Sequence, residues 1–265
     1  MKDQPVLIKG KIRLKDFDPA YTGEVDKEKA KTKSVECQEH IGHLQDLLYA
    51  NSSHSILLVF QGMDASGKDG SVRHVLMHVN PAGVETANFK VPSTEERAHD
   101  YLWRIHKALP RHGNIGVFNR SHYEAVLVER VLKIVPKEIW SRRYDEIVNF
   151  ERLLVESGVV LLKFYLHLSK AEQACRLKAR LSDPRKNWKF STDDLKTREH
   201  WREYMKAYED VLNKTSHEQA RWHLIPADHK WYRDYLIART VVRAMEDLKL
   251  KWPKPKEDLS KIRIV

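Results

Sequence analysis

A glycine-rich segment near residue 62 carries the clearest chemical signal in the sequence. Residues 62–68 read Gly-Met-Asp-Ala-Ser-Gly-Lys, which fits the pattern Gly-x-x-x-x-Gly-Lys, and they lie between an apolar run and a helical pattern. In such a loop, glycines let backbone N–H groups turn toward phosphate oxygens, while the helix N-terminus and the lysine supply positive charge. The other interpretation, a strand-to-helix turn without a ligand, explains the pattern less completely. We expect phosphate contacts from Gly62, Ala65, Ser66, Gly67, Lys68, Asp69 and Gly70.

The residue after Lys68 departs from the usual form of this motif. That position normally holds Ser or Thr, whose hydroxyl binds Mg²⁺, and here it is Asp69. Asp64, inside the loop, is a second carboxylate that phosphates would repel unless a cation lay between them. Hard cations prefer such oxygen ligands, so we expect Asp64 and Asp69 to take part in metal binding. The alternative for Asp69 is a favourable charge at the helix N-terminus.

A second polar segment follows another apolar run. Residues 118–124 read Phe-Asn-Arg-Ser-His-Tyr-Glu, and Asn119 marks the end of a predicted strand. Arg120 can bind a phosphate through two parallel hydrogen bonds, and Glu124 lies one helical turn further along, where it can face the same cleft. On spacing alone, an exposed ion pair between Arg120 and Glu124 is an equally good interpretation.

Short apolar runs and helical patterns alternate along the chain and must position these residues. The runs predict strands at 55–60, 84–91, 115–118, 159–168 and 222–226. Helices are predicted at 35–50, 68–79, 93–109, 122–132, 136–156 and 230–250, and also after residue 169. This alternation indicates an α/β fold of the phosphate-loop type, with a central five-stranded parallel sheet between two layers of helices. Ligands of such sheets bind at the carboxyl ends of the strands.

We expect three parts in the chain: an N-terminal extension and helix at 1–50, a phosphate-loop core at 51–250 and a C-terminal tail at 251–265. The loop 182–191 is polar and basic, and we predict that it belongs to a helical lid around 182–205. A closed lid excludes water, which would otherwise compete for a transferred group. We expect Arg180 and Lys189 in this region to contact phosphates.

Several separated motifs together resemble one known family. In chain order they are Gly-x-Asp-Ala-Ser-Gly-Lys-Asp-Gly at 62–70, Asn-Pro-x-Gly at 80–83, Tyr-Leu-Trp-Arg at 101–104, Phe-Asn-Arg-Ser-x-Tyr-Glu at 118–124, Trp-Lys-Phe at 188–190 and Lys-Trp-Tyr-Arg at 230–233. This set resembles the polyphosphate kinase 2 family over about residues 47–248. Asn119 and Glu124 resemble its class III subgroup.

The resemblance implies a kinase that transfers the terminal phosphoryl group of inorganic polyphosphate to nucleotides, reversibly and with Mg²⁺, for which Mn²⁺ could substitute. The class III subgroup implies AMP and ADP as acceptors, ATP as a product and guanine nucleotides as further candidates. The family resemblance also implies a homodimer or homotetramer. By this similarity the catalytic residues are Asp64, Lys68, Arg120 and Glu124, with phosphate contacts also from Asn119. Asp64 would bind the metal, supported by Asp69 and Glu124.

The overall composition fits an anionic ligand but does not choose between classes of anion. Lys and Arg number 47 against 37 Asp and Glu, a net charge of +10. No apolar run is long enough to span a membrane and no secretory-signal pattern is visible, so we expect a cytoplasmic protein without a membrane partner. Two other functions stay open: an ATP-dependent nucleoside or nucleotide kinase, and a nucleic-acid-binding phosphate-loop ATPase. Because no base-reading helix or stacking platform is recognisable, we expect no nucleic-acid partner.

Overall fold

A six-stranded sheet forms the centre of the structure, a computed structural model that describes residues 4–264. Its strands are β1 (Val6–Leu7), β2 (Ser55–Gln61), β3 (Val84–Asn88), β4 (Ile115–Asn119), β5 (Val159–His167) and β6 (Trp222–Pro226). The order across the sheet is β1-β6-β5-β2-β4-β3, and β1 alone runs antiparallel to its neighbour. The five predicted parallel strands are confirmed. The predicted strand count was too low by one, because β1 has two residues and is too short to leave a pattern.

The central strands are buried because their side chains are apolar on both faces. All seven residues of β2 are buried, as are eight of the nine residues of β5. A parallel sheet of this kind must be covered by helices on both sides. The predicted three-layer α/β architecture is confirmed.

Helices form the two outer layers. They are α1 (Lys27–Asn51), α2 (Lys68–Val75), α3 (Thr94–Arg97), α4 (Trp103–Lys107), α5 (Val128–Val131), α6 (Lys137–Trp140), α7 (Arg143–Glu156), α8 (Lys170–Ser182), α9 (Thr192–Glu199), α10 (Trp201–Thr215) and α11 (Lys230–Glu246). One hydrophobic core joins the sheet to α1 and α11 and includes Ile41 and Leu236. The other joins the opposite face to α7 and α10 and includes Ile147 and Val211.

Three predicted helices are interrupted, so their predicted continuity was wrong. The helix expected at 93–109 divides into α3 and α4, because Asp100 accepts a hydrogen bond from the Leu102 N–H at 2.9 Å and starts a new turn there. The helix expected at 122–132 begins as a 3-10 turn, and the helix expected at 136–156 divides between α6 and α7. The outer limits predicted for these three helices nearly coincide with the observed ones, so the error lies in the breaks inside them.

The residues before α1 pack onto the core. Ile8 and Leu14 are buried, next to the edge strand β1. α1 begins before residue 35, because Asp26 accepts hydrogen bonds from the N–H groups of Glu28 and Lys29 and so caps the helix. The N-terminal residues therefore contribute a strand and core side chains to the fold.

The segment predicted as a lid joins α8 to α10. It contains a 3-10 turn at 187–189 and α9, which has no buried residue. By contrast, α10 buries a face that includes Tyr204, Tyr208 and Val211. The loosely packed part of the segment therefore ends near residue 200, and α10 belongs to the core. No helix within residues 4–264 is long and apolar enough to cross a membrane.

Candidate active site

The phosphate loop forms at the carboxyl end of β2, beside the end of β4. Phe60 of β2 pairs with Asn119 of β4, so the two polar segments predicted from the sequence start side by side. Gly62, Ala65 and Gly67 have positive φ angles of 151°, 63° and 104°. These conformations bend the chain tightly between the strand and α2.

Glycine at position 67 is required for two reasons. Its φ of 104° is unfavourable for a residue with a side chain, and an added Cβ would lie 1.8 Å from Nη1 of Arg233. Arg233 is buried against the loop, where its Nη1 donates to Ser66 O at 3.1 Å. The carboxylate of Asp234 balances its charge, with Oδ1 2.8 Å from Arg233 Nη2.

Three side chains hold the carbonyl oxygens of residues 64–66 from outside the loop. Nε2 of Gln173 donates to the first oxygen at 2.9 Å, and Nη1 of Arg176 donates to the second and third at 3.0 Å. Arg233 also donates to the third. We name Gln173, Arg176 and Arg233 the carbonyl clamp. A carbonyl and the N–H that follows it point in opposite directions, so the clamp turns the N–H groups of Ala65 and Gly67 toward the other side of the loop, where a phosphate would bind, while the Ser66 N–H donates to Met63 O at 3.0 Å.

Lys68 opens α2 and folds back onto the loop. Its Nζ donates to Gly62 O at 2.7 Å and to Met63 O at 3.3 Å. Burial lowers the pKa of the Lys68 ammonium, although the nearby Asp64 carboxylate acts to raise it. A charge in such a low-dielectric setting interacts with a phosphate more strongly than it would in water.

The Arg120 side chain bridges the two polar segments. Its Nη2 lies 2.9 Å from Oδ1 of Asp64. Burial alone would lower the pKa of Arg120, but the carboxylates of Glu124 and Asp64 raise it. Arg120 has a φ of 63°, a conformation that costs a non-glycine residue roughly 1–3 kcal/mol and is concentrated at functional sites.

The other predicted residues pair in the same place. Nδ2 of Asn119 donates to Oδ1 of Asp69, and Nε2 of Gln61 donates to Oε1 of Glu124 at 3.1 Å. Burial raises the pKa of Glu124, although Arg120 and the Gln61 hydrogen bond act to lower it. Thus Arg120 pairs with the phosphate loop, and the exposed ion pair with Glu124 is not the arrangement formed. The structure brings together Asp64, Lys68, Asp69, Asn119, Arg120 and Glu124.

Arg180 and Lys189 make contacts within the segment predicted as a lid. Nη1 of Arg180 donates to Lys189 O at 3.0 Å and to Oδ2 of Asp194 at 2.8 Å. The ammonium of Lys189 lies over the exposed ring of Trp188, 4.9 Å from its centroid. Their phosphate contacts therefore stay a prediction. Burial, followed by the nearby charge of Asp64, raises the pKa of Asp194, which adds a fourth carboxylate near Asp64, Asp69 and Glu124.

Oxygen ligands for a hard cation are present, but they do not form a closed cage. Within residues 4–264, no group of three or more His, Cys, Asp or Glu side chains is arranged to hold a metal ion. Mg²⁺ usually binds one or two carboxylates together with phosphate oxygens and water. Asp64 uses Oδ1 for its contact with Arg120, and its carboxylate has a second oxygen with which to meet a cation. The donor set at the phosphate loop therefore fits Mg²⁺.

A cavity of about 570 Å³ opens beside these residues. Arg120 and Glu124 form part of its wall, and Phe89, Val128 and Ile134 are among its apolar parts. Three more arginines line it: Arg97, Arg104 and Arg143. A mostly apolar cavity of this size with a few charged groups suits a small-molecule ligand.

A buried ionic network lies behind residues 119–124. Nζ of Lys163 is 2.6 Å from Oε2 of Glu151, and both side chains are fully buried. The Tyr123 hydroxyl donates to Oε1 of Glu151 at 2.5 Å, and Nε2 of His122 lies 3.2 Å from the same oxygen. Because His122 and Tyr123 belong to the polar segment itself, the network anchors that segment to α7 and β5.

Comparison with known proteins identifies a family that matches most of the chain. The family model for polyphosphate kinase 2 matches residues 24–253. The chain belongs to the polyphosphate kinase 2 family. The resemblance inferred from the separated motifs is therefore confirmed, and the matched region covers most of the fold.

Similar proteins align with all or nearly all of the chain. It is 46% identical over 266 aligned residues to the AMP/ADP-polyphosphate phosphotransferase of Meiothermus ruber, covering 100% of both chains. It is 43% identical to the ADP-polyphosphate phosphotransferase of Rhodopseudomonas palustris, covering 92% of this chain and 93% of the relative. The crystal structure of polyphosphate kinase 2 from Arthrobacter aurescens TC1 superposes with a TM-score of 0.95 at 38% identity, covering 98% and 95% of the two chains.

Several residues at this candidate active site are not among the predicted site residues. Gln173, Arg176 and Arg233 hold the loop, and Tyr204 of α10 lies near it, where burial followed by the charges of Glu124 and Asp64 raises its pKa to about 12. Arg233 falls within the quoted motif at 230–233, which is a signal that could have found it. For the residues of α8 and α10, the sequence indicates which residues share a helix face but not which part of the structure that face contacts.

Proposed function

We propose that this protein transfers the terminal phosphoryl group of inorganic polyphosphate to AMP and to ADP, in a reversible reaction that yields ADP and ATP. The observation that carries the proposal is the full-length similarity to a relative named AMP/ADP-polyphosphate phosphotransferase. The geometry supports it, because a phosphate loop, Arg120 and a nucleotide-sized cavity meet at one edge of the sheet.

The residues at this edge supply what phosphoryl transfer requires. The transition state is loose, with charge spread over the oxygens of the transferred group, so catalysis depends on alignment and charge neutralisation. The loop N–H groups, Lys68 and Arg120 would hold the phosphates in line with the acceptor. An oxygen of the acceptor phosphate forms the new P–O bond as the bond to the shortened polyphosphate breaks, so no covalent enzyme intermediate is needed.

Mg²⁺ is the metal that these ligands would take, with Mn²⁺ as an alternative. When bound, it would neutralise negative charge on the phosphates. Asp64 would hold it, and Asp69 and Glu124 would support the site. Burial raises the pKa of Glu124 and so favours its neutral form, whereas a cation nearby would favour the charged form of this carboxylate.

The base and sugar of the acceptor would occupy the 570 Å³ cavity. Its apolar walls suit a nucleoside, and Arg120 would reach the phosphate that faces the loop. AMP and ADP differ by one phosphate, so a site that accepts both must place the terminal phosphate of either at the same point. Glu124, which shares this wall with Arg120, is the residue we expect to influence that choice.

A product assay tests the proposal. Purified protein is incubated with polyphosphate, Mg²⁺ and AMP, ADP, GMP or GDP, and products are separated by chromatography. We expect ADP from AMP and ATP from ADP, and in the reverse direction we expect ADP and lengthened polyphosphate when ATP is supplied together with a short polyphosphate. If polyphosphate gives no nucleotide product while ATP serves as phosphoryl donor, the protein is an ATP-dependent nucleotide kinase and the proposal fails.

Asp64→Asn tests the metal-binding role. The asparagine keeps an oxygen that can accept from Arg120 but removes the negative charge that a divalent cation requires. We expect loss of phosphoryl transfer with an unchanged melting temperature. A rate near that of the unchanged protein would remove Asp64 from the metal site.

The assembly and location stay predictions. The family resemblance implies a homodimer or homotetramer, which light scattering coupled to gel filtration can measure. A cytoplasmic location agrees with the free Cys37 and Cys175, since disulfides are rare in reducing compartments.

A further inference from the structure

Gln173 is buried between the phosphate loop and the lid, and it uses both ends of its amide. Its Nε2 donates to Asp64 O at 2.9 Å, and its Oε1 accepts from Nη1 of Arg198 at 2.9 Å. The two partners fix the orientation of the amide, because a carbonyl can only accept and a guanidinium can only donate. Arg198 lies on α9, so one side chain connects the lid helix to the loop.

The other members of the carbonyl clamp are anchored differently. Arg176 also donates from Nη2 to Ala227 O at 2.6 Å and to Asp228 O at 2.9 Å, just after β6. Arg233 is paired with its neighbour Asp234 on α11. Both anchors belong to the core, whereas Gln173 depends on the lid for its second partner.

The lid helix is held to the core by few contacts. α9 has no buried residue, and its hydrogen bonds to α8 join Asp194 to Arg180, and Arg198 to Lys170 O and Gln173. Segments with little buried apolar surface open at low free-energy cost. When α9 moves away, Oε1 of Gln173 loses its donor in a buried site, and the amide is no longer held in one orientation.

We propose that Gln173 is a positioning residue that couples the placement of lid helix α9, through Arg198, to the orientation of the Asp64 peptide group in the phosphate loop. A closed lid fixes the amide, the amide fixes Asp64 O, and the N–H of Ala65 on the opposite side of that peptide is then aimed at the phosphate. Lid closure thereby completes the phosphate site as well as excluding water. This inference rests on the proposed phosphotransferase function.

A double-mutant cycle tests the coupling. The variants are Arg198→Met, Gln173→Leu and the combination, with Lys196→Met as control, because Lys196 lies on the same helix, is 73% exposed and pairs only locally with Asp193. We expect kcat/KM for polyphosphate-dependent ADP formation to fall about tenfold in each single variant, the loss of one hydrogen bond to a charged group. In the combined variant, kcat/KM should lie no more than about twofold below that of either single variant, since both changes break the same chain of contacts. Additive losses in the combined variant would overturn the proposal.

Hydrogen exchange of peptides covering 62–70 gives a readout that does not depend on activity. We expect faster amide exchange there in Arg198→Met than in Lys196→Met, at equal melting temperature, and partial recovery in Arg198→Lys. Equal exchange in the Met variants would refute the coupling. If the protein without substitutions shows no polyphosphate-dependent transfer, the proposed function fails. The comparison of amide exchange between Arg198→Met and Lys196→Met would still test the role of Gln173.

Discussion

Removing the charge of Lys163 provides a strong test of how the site is supported. The Lys163 ammonium lies 2.6 Å from Oε2 of Glu151 and also donates to Thr215 O at 2.7 Å, with no exposed surface on either charged side chain. Lys163→Met keeps the length and apolar character of the stem but leaves Glu151 as a buried carboxylate without a cation. Breaking a buried pair in this way costs about 3–5 kcal/mol.

That loss should be measurable as a change in melting temperature. For a chain of this size, 1 kcal/mol corresponds to about 2 °C, so we expect a decrease of about 6–10 °C. Lys206→Met, an exposed change on α10, is the matched control and should shift the temperature little. The combination Lys163→Met with Glu151→Gln removes the stranded charge but keeps an oxygen for Tyr123, so it should recover much of the loss.

The direction in which stability changes with pH gives a second test of this network. In the unchanged protein, burial alone would raise the pKa of Glu151, but the charge of Lys163 and the hydrogen bonds of His122 and His217 hold it well below its usual range. The lowered pKa of Glu151 therefore stabilises the fold above about pH 4.3, and this contribution is lost as the pH falls. In Lys163→Met burial dominates, the pKa rises, and protonation on acidification relieves the buried charge.

The stability deficit of Lys163→Met should consequently be smaller at pH 5 than at pH 7.5. Activity should also fall at temperatures below unfolding, because His122 and Tyr123 lose part of the network that anchors Arg120 and its segment. A deficit equal to that of Lys206→Met, or one that grows on acidification, would refute this account of the network.

Three other changes can be tested with the same preparations. Gly67→Ala should abolish phosphoryl transfer, because its Cβ would lie 1.8 Å from Arg233 Nη1 at a φ of 104°; near-normal kcat/KM would show that the loop tolerates a side chain there. Burial lowers the pKa of His223 to about 4, so the free energy of unfolding should fall by up to ~1.4 kcal/mol per pH unit as the pH decreases from about 6.5 toward 4. In His223→Gln the denaturation midpoint should depend less on pH over this range. Glu124→Asn should change the ratio of kcat/KM for AMP and ADP, and an unchanged ratio would exclude Glu124 from acceptor choice.

The phosphate loop could be predicted from the sequence because its chemistry is local. Glycines at 62 and 67 set the backbone path, and the lysine follows at a fixed offset, so a few neighbouring residues define both the turn and its charge. The end of β4 was predictable for a related reason, since parallel strands bring their carboxyl ends to one edge. These two segments meet as expected through Asp64 and Arg120.

The support of the loop could not be predicted in the same way. Gln173 and Arg233 contact the loop across 109 and 167 residues of sequence, and no local spacing marks such partners. Lys163 is a polar residue within an apolar strand, which indicates a buried partner, but Glu151 becomes that partner only through the packing of α7 on β5. Helix breaks such as the one at Asp100 depend on a single side-chain hydrogen bond that competes with helix continuation.

The balance of charge at the reacting edge explains why a cation is expected there in a strongly basic protein. Among the residues that meet at the phosphate loop, two cations, Lys68 and Arg120, lie near three carboxylates, Asp64, Asp69 and Glu124, so this group carries no positive excess of its own. Binding a phosphate chain adds further negative charge in a low-dielectric setting, where repulsion is strong. The surplus of ten positive charges therefore lies outside this group of five residues, where it can attract an anionic polymer, and the proposed divalent cation would neutralise charge at the transferred group.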